Sequence, residues 1–169
     1  MKNIKIVLLL LLISLFFVFS TSAETIEEQL LNKKEQRIKT YLYQAKVGDR
    51  EQKVDVLDKI LGEFDEFKYS NQDRRLVELV VFLSEEGSTR KEYQNGRQVN
   101  DFPDVRQKSV RVLAKLKGDQ ARDALVNVLI NDDNTVVKAE ACLALAEVGD
   151  SSSGEALRAL VYVYRRTYK

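Results

Sequence analysis

Apart from one continuous apolar block near the start, the hydrophobic positions of this chain recur at intervals of three and four residues. That spacing puts them on one stripe of an α-helix, and few stretches show the strict alternation of a half-buried strand. Thr25 to Lys46 carries Ile26, Leu30, Ile38, Leu42 and Ala45, roughly on one face, and opens with Thr25 and Glu28 in capping-box spacing. Asp49 to Leu61 has Val54, Leu57, Ile60 and Leu61 at helical spacing; Asn71 to Leu83 has Leu76, Leu79, Val80 and Leu83. A helix over 104–116 follows Pro103, whose fixed φ suits a helix start. Another carries Ala124, Leu125, Val128 and Leu129, a stripe that must be buried. One proline and seven glycines leave little to interrupt this pattern. The pattern predicts a protein that is nearly all helix.

The later helices repeat. At an offset of 32 residues, Val105 meets Val137, Arg106 meets Lys138, Ser109 meets Ala141, Val112 meets Ala144 and Leu113 meets Leu145. Ala124-Leu125 likewise meets Ala156-Leu157, and Val128-Leu129 meets Leu160-Val161. Between these blocks Gly118-Asp119 matches Gly149-Asp150 only if the offset slips by one, with Lys117 extra. Each unit therefore reads as a helix, a turn at Gly118 or Gly149, and a second helix with Asp119 or Asp150 placed to cap it. Two helices of this length cannot bury both stripes alone, so the units must stack. The helices at 49–61 and 71–83 read as a degenerate third pair, and Thr25 to Lys46 as a helix capping the stack.

Val137-Lys138, Ala141, Ala144-Leu145 and Val148-Gly149-Asp150 resemble the first helix and turn of a HEAT repeat. Val105-Arg106, Val112-Leu113, Leu116 and Gly118-Asp119 resemble it too, as does Asp132 or Asp133 at the turn between units. The resemblance covers about residues 103–164. It implies an all-α, right-handed α-solenoid of stacked antiparallel helix pairs with an N-terminal capping helix. It also implies that the valine, the basic residue and the aspartate serve structure.

Lys2 and Lys5 precede the apolar block Ile6 to Phe19, and Thr21-Ser22-Ala23 follows. A basic start, a short apolar run and small residues at a cut describe a secretory signal peptide, and the run is short for crossing a bilayer. Cleavage after Ala23 leaves 146 of the 169 residues, with 25 Lys and Arg against 26 Asp and Glu once Lys2 and Lys5 are gone. The expected organisation is a signal at 1–23 and one helical repeat domain at 24–169. Within it lie a capping helix and degenerate repeat at 24–84, an insertion at 85–102, and repeats at 103–131 and 132–169. The expected location is periplasmic or secreted, with no lipid-anchor cysteine and no membrane insertion after cleavage.

The balanced charge argues against a nucleic-acid partner. With no histidine and a single cysteine, Cys142, a Ser-His-Asp triad, a Cys-His dyad, imidazole-bound metal and an internal disulfide are all out of reach. Cys142, within Ala141-Cys142-Leu143-Ala144-Leu145, reads as a small buried hydrophobe. No catalytic residue, metal ligand or cofactor is expected.

Three features suggest a protein partner instead. Residues 85–102 are long for a connection between repeats; Asn95-Gly96 is a tight-turn signal, and Arg90, Lys91, Tyr93 and Arg97 make the segment basic and aromatic. On the second helices, Arg122, Val126 and Ile130 face away from the buried stripe, and Arg158 and Tyr162 hold the places of Val126 and Ile130 in the last unit. The resulting strip of Val126, Ile130, Arg158 and Tyr162 mixes groups favoured at interfaces. Lastly, the end of the chain, Tyr162 to Lys169, carries tyrosines and arginines, with Tyr164 expected in the core. The favoured reading is an exported interaction or scaffold module whose groove is lined by second helices. A self-associating envelope subunit using Tyr162 to Tyr168, and a lyase-like enzyme on a HEAT-like scaffold, are the alternatives.

Overall fold

The computed structural model describes residues 25–149 and 154–167. The expected signal at 1–23, Asp150 and Tyr168 lie outside the described residues. These comprise α1 (Ile26–Val47), α2 (Arg50–Gly62), α3 (Arg74–Glu85), the strands β1 (Tyr93–Gln94) and β2 (Arg97–Gln98), α4 (Pro103–Leu116), α5 (Gly118–Asn131), α6 (Thr135–Val148) and α7 (Glu155–Thr167). The chain divides into one unit ending at Lys34 and a second, Glu35–Lys169. In the first, Thr25 and Glu28 form the expected reciprocal cap: Glu28 N–H donates to Thr25 Oγ1 at 3.2 Å, and Thr25 N–H to Glu28 Oε2 at 3.0 Å.

The second unit is a two-layer stack. Helices α2, α4 and α6 lie side by side in one layer, and α3, α5 and α7 in the other, each pair packing on the next. The N-terminal pair thus continues the layers of the two regular ones, as a repeat architecture requires. Its connection carries a buried aromatic cluster of Phe64, Phe67 and Tyr69, with the Phe64 and Tyr69 rings edge-to-face at 5.9 Å. From α1, Ile38, Tyr41 and Ala45 are buried, and the Tyr41 hydroxyl donates to Glu63 Oε2 at 2.6 Å.

Between the layers sit the predicted stripes: Leu76, Leu79, Val80 and Leu83 of α3, Val105, Val112 and Leu113 of α4, and Leu125, Val128 and Leu129 of α5, all buried. On the first-helix layer, ion pairs tie successive repeats together. Arg50 bonds Asp104 at 2.9 Å, Lys108 bonds Asp58, and Arg111 grips both oxygens of Glu140 at 2.8 and 3.2 Å. The Arg111 hydrogen bond, helped by Gln107 and opposed by burial, lowers the Glu140 pKa.

Several expectations need correcting. The buried face of α2 includes Val56 and Lys53, with Val54 and Leu61 only half-buried. Hydrophobic spacing cannot anticipate Lys53, which an ionic partner buries, whereas Val56 lies in helical register with Leu57 and Ile60. The register slip at the turns does not exist. Lys117 caps α4 at φ 58°, ψ −169°, and Gly149 caps α6 at φ 80°, ψ 174°, so the two residues are equivalent at the unbroken offset of 32. Their N–H groups donate to Leu113 and Leu145 carbonyls, again 32 apart. Asp119 does not cap α5, which already begins at Gly118; its carboxylate accepts from Arg122 at 2.7 Å. Tyr164, expected in the core, is exposed, because α7 turns Ala156 and Ala159 inward and Tyr164 falls on the same side as Leu157.

Candidate functional site

The segment following α3 is anchored at its base and open at its tip. Lys53 and Glu86 form a buried ion pair, with Lys53 also 5.6 Å from the Phe102 ring. Arg106 is buried beside it. Its guanidinium donates to the Glu86 carbonyl at 3.0 Å and to Asp101 at 2.8 Å, and it bonds both oxygens of fully buried Asp132 at 2.7 and 3.3 Å. Asp132 also accepts from Asn134 N–H at 2.8 Å, at the entry to α6, whose first amides Asn134 then caps. Burial alone would lower the Arg106 pKa, but its hydrogen bonds to Asp132 and Asp101 outweigh it and hold the value above normal. The basic residue and aspartate of the repeat pattern thus form one structural clamp between α4, the inserted segment and α6.

Further along, Asn100 is buried and braces the loop, accepting from Glu92 N–H at 2.9 Å and donating to the Arg90 carbonyl at 2.8 Å. Arg90 lies 3.6 Å from the centre of the Phe82 ring and donates to the Phe82 carbonyl. It is therefore engaged inside the protein, not offered to a partner. Lys91 pairs with Asp133 at 3.3 Å. Beyond this base, β1 and β2 form the expected hairpin, Tyr93 opposite Gln98 and Gln94 opposite Arg97. Asn95 and Gly96 both have positive φ, 52° and 78°, as a two-residue hairpin turn demands. Tyr93 and Arg97 are exposed at this tip.

The strip expected on the second helices is split by the structure. Arg158 and Tyr162 line one open depression, whose walls among the described residues are these two with Leu157, Val161, Arg165 and Arg166, all from α7. Val126 and Ile130 are half-buried and do not line it. Their neighbour Arg122 shows which way this face of α5 looks: its guanidinium reaches the Gly149 carbonyl, at the end of α6, at 3.2 Å. Arg166 donates to the Tyr162 hydroxyl at 3.1 Å, fixing both side chains along the depression. Arg165 and Arg166 belong to the C-terminal segment expected to meet a partner or a second copy. Leu157 and Val161 are not legible as site residues in the sequence, because they align with Leu125 and Leu129 and so read as core.

Cys142 is half-buried, and burial pushes its thiol pKa up, which suits a packing role over a reactive one. Among the described residues no group of three or more His, Cys, Asp and Glu side chains could hold a metal ion. Among them, too, no helix is long and apolar enough to cross a membrane.

Residues 97–164 match the family model for HEAT repeats, less than half of the chain. The match starts at β2 and runs through the two regular pairs. Neither a curated protein nor a solved structure matches the chain.

Proposed function

Since residues 97–164 are built of HEAT repeats, which commonly mediate protein–protein interaction or scaffolding, we propose that this chain is an exported interaction module. Its partner is a protein, received on the exposed face of the second-helix layer around Arg158 and Tyr162. The observation that carries this reading is the depression on α7, where an Arg and a Tyr flank exposed leucine and valine on a helix seated against α5. A rigid helix face loses little entropy when a partner docks, and Arg and Tyr are the side chains most often found as anchors. Val126 and Ile130 hold the equivalent places on α5. Tyr93 and Arg97, on the braced hairpin, form a second contact for a large partner. Export is supported by the basic start, the apolar run Ile6 to Phe19 and the small residues before Glu24.

Photo-crosslinking residues at Tyr162 and, separately, at Tyr93 test the reading in the producing cells. One recurrent protein captured at Tyr162 supports it, and the same protein at Tyr93 extends the site to the hairpin. Self-crosslinks alone favour the self-associating subunit, and silence at both positions ends the interaction reading. The N-terminal mass of the protein recovered outside the cytoplasm is expected to correspond to a chain starting at Glu24.

A further inference from the structure

The repeat itself says what kind of surface α7 presents. At the offset of 32, Leu157 and Val161 stand where Leu125 and Leu129 stand in the preceding repeat. Leu125 and Leu129 are 0% exposed; Leu157 is 61% and Val161 40% exposed. The first helices show the same contrast: Val110 and Ala114 are buried in α4, while in α6 Cys142 is half-buried and Ala146 exposed. Chemically, then, the last repeat keeps the apolar side that its predecessor uses to receive a following helix pair. Tyr164, 64% exposed, widens that side. A helix face held against water would carry polar groups there.

Charge narrows the occupant. Around the apolar positions α7 places Arg158, Arg165 and Arg166, with Glu155 the one acid of the helix. A second copy meeting this face about a two-fold axis, with the helices antiparallel, would bring Arg158 of each copy toward Arg165 of the other. Like charges directly opposed are destabilising. A lipid surface would welcome the arginines, but it does not need leucine and valine in the register of an inter-repeat contact. From these observations, and resting on the interaction reading above, we infer that the end face of α7 receives an acidic amphipathic helix from a partner protein. That helix lies on α7 as α7 lies on α5. Its apolar residues at i, i+3, i+4 and i+7 seat against Leu157, Val161 and Tyr164, and its carboxylates meet Arg165 and Arg166.

The test uses the purified full chain and two fluorescent helical peptides, with leucines at those four spacings and either glutamates or lysines at the flanking positions. Fluorescence anisotropy is expected to show the glutamate peptide binding at least about tenfold more tightly than the lysine peptide, with an advantage that shrinks as salt rises. Arg165→Glu with Arg166→Glu should reverse the preference, and Leu157→Asp should abolish binding of both. Circular dichroism of these exposed-site variants should match the parent. Equal binding of the two peptides, or none by either, overturns the inference. So does a concentration-dependent dimer in sedimentation that Leu157→Asp disperses, which would make the occupant a second copy. Binding of anionic vesicles that Arg165→Glu/Arg166→Glu removes, with no peptide binding, overturns it in favour of lipid. If the peptides fail while Tyr162 still captures a protein in cells, only the acidic-helix assignment falls; silence at Tyr162 and Tyr93 fells the interaction reading itself.

Discussion

At the scale of single residues, the most consequential side chain is Asp132. It is fully buried and holds both ends of the Arg106 fork, while Arg106 also supports the Glu86 carbonyl of the inserted segment. Replacing Asp132 by Ala leaves a guanidinium buried beside Asp101 alone, whose carboxylate is largely solvated. Breaking a buried pair from one side costs about 3–5 kcal/mol. Urea denaturation of Asp132→Ala should show a loss of that size. Arg106→Met combined with Asp132→Leu should recover much of it, because neither charge is then stranded. A second residue-scale prediction concerns alkali. Burial, followed by the charge of Glu63, pushes the Tyr69 phenol from 10.0 up to about 12. Burial and the hydrogen bond to Glu63 raise Tyr41 as well. A raised folded pKa contributes stability that is complete below pH 10 and is lost as pH climbs through the folded value. Stability should therefore fall steeply between about pH 10 and 12, and Tyr69→Phe should flatten that fall when the two proteins are unfolded by urea across the range.

At the scale of elements, the turn between paired helices decides local stability. Lys117 performs at φ 58° what Gly149 performs at φ 80° in the next repeat, and a lysine there strains its backbone where a glycine does not. Lys117→Gly is expected to raise stability by about 1 kcal/mol, the gain in relieved strain exceeding the added freedom of the unfolded chain. Thermal unfolding by circular dichroism measures it. The same turn explains the apparent slip between the repeats: matching glycine to glycine forces it, whereas matching backbone conformation does not. Helix starts were partly legible. The Thr25–Glu28 box and the Pro103 start are where the sequence put them. The Asp-x-x-Gln spacing of Asp49 and Gln52 likewise marks the start of α2, where the two form a reciprocal cap.

At the scale of the whole molecule, position in the stack outweighs position in the repeat. Leu125 and Leu157 occupy the same place in their repeats, yet one is sealed by the next pair and the other faces outward. Leu125→Asp should strand a charge in the core and prevent cooperative folding. Leu157→Asp should shift stability by no more than about 0.5 kcal/mol, as surface changes do. Side-by-side thermal melts of the two variants make the comparison. Equal destabilisation would mean that another part of the chain covers α7, and the outward-facing reading of that helix would have to go.

Periodicity alone determined the helices, their pairing and the stacking of the pairs, because an amphipathic stripe dictates both a helix and the need for a neighbour. Composition alone removed imidazole chemistry and an internal disulfide, since the chain has no histidine and a single cysteine. Tertiary structure decided the rest. Lys53 and Arg106 are buried because distant carboxylates, Glu86 and Asp132, come to meet them, and no local pattern encodes a partner 33 or 26 residues away. Likewise, whether an apolar position becomes core or contact surface depends on whether another layer follows it. That is a property of the stack and not of the single repeat, and the residues Leu157 and Val161 read the same in either case.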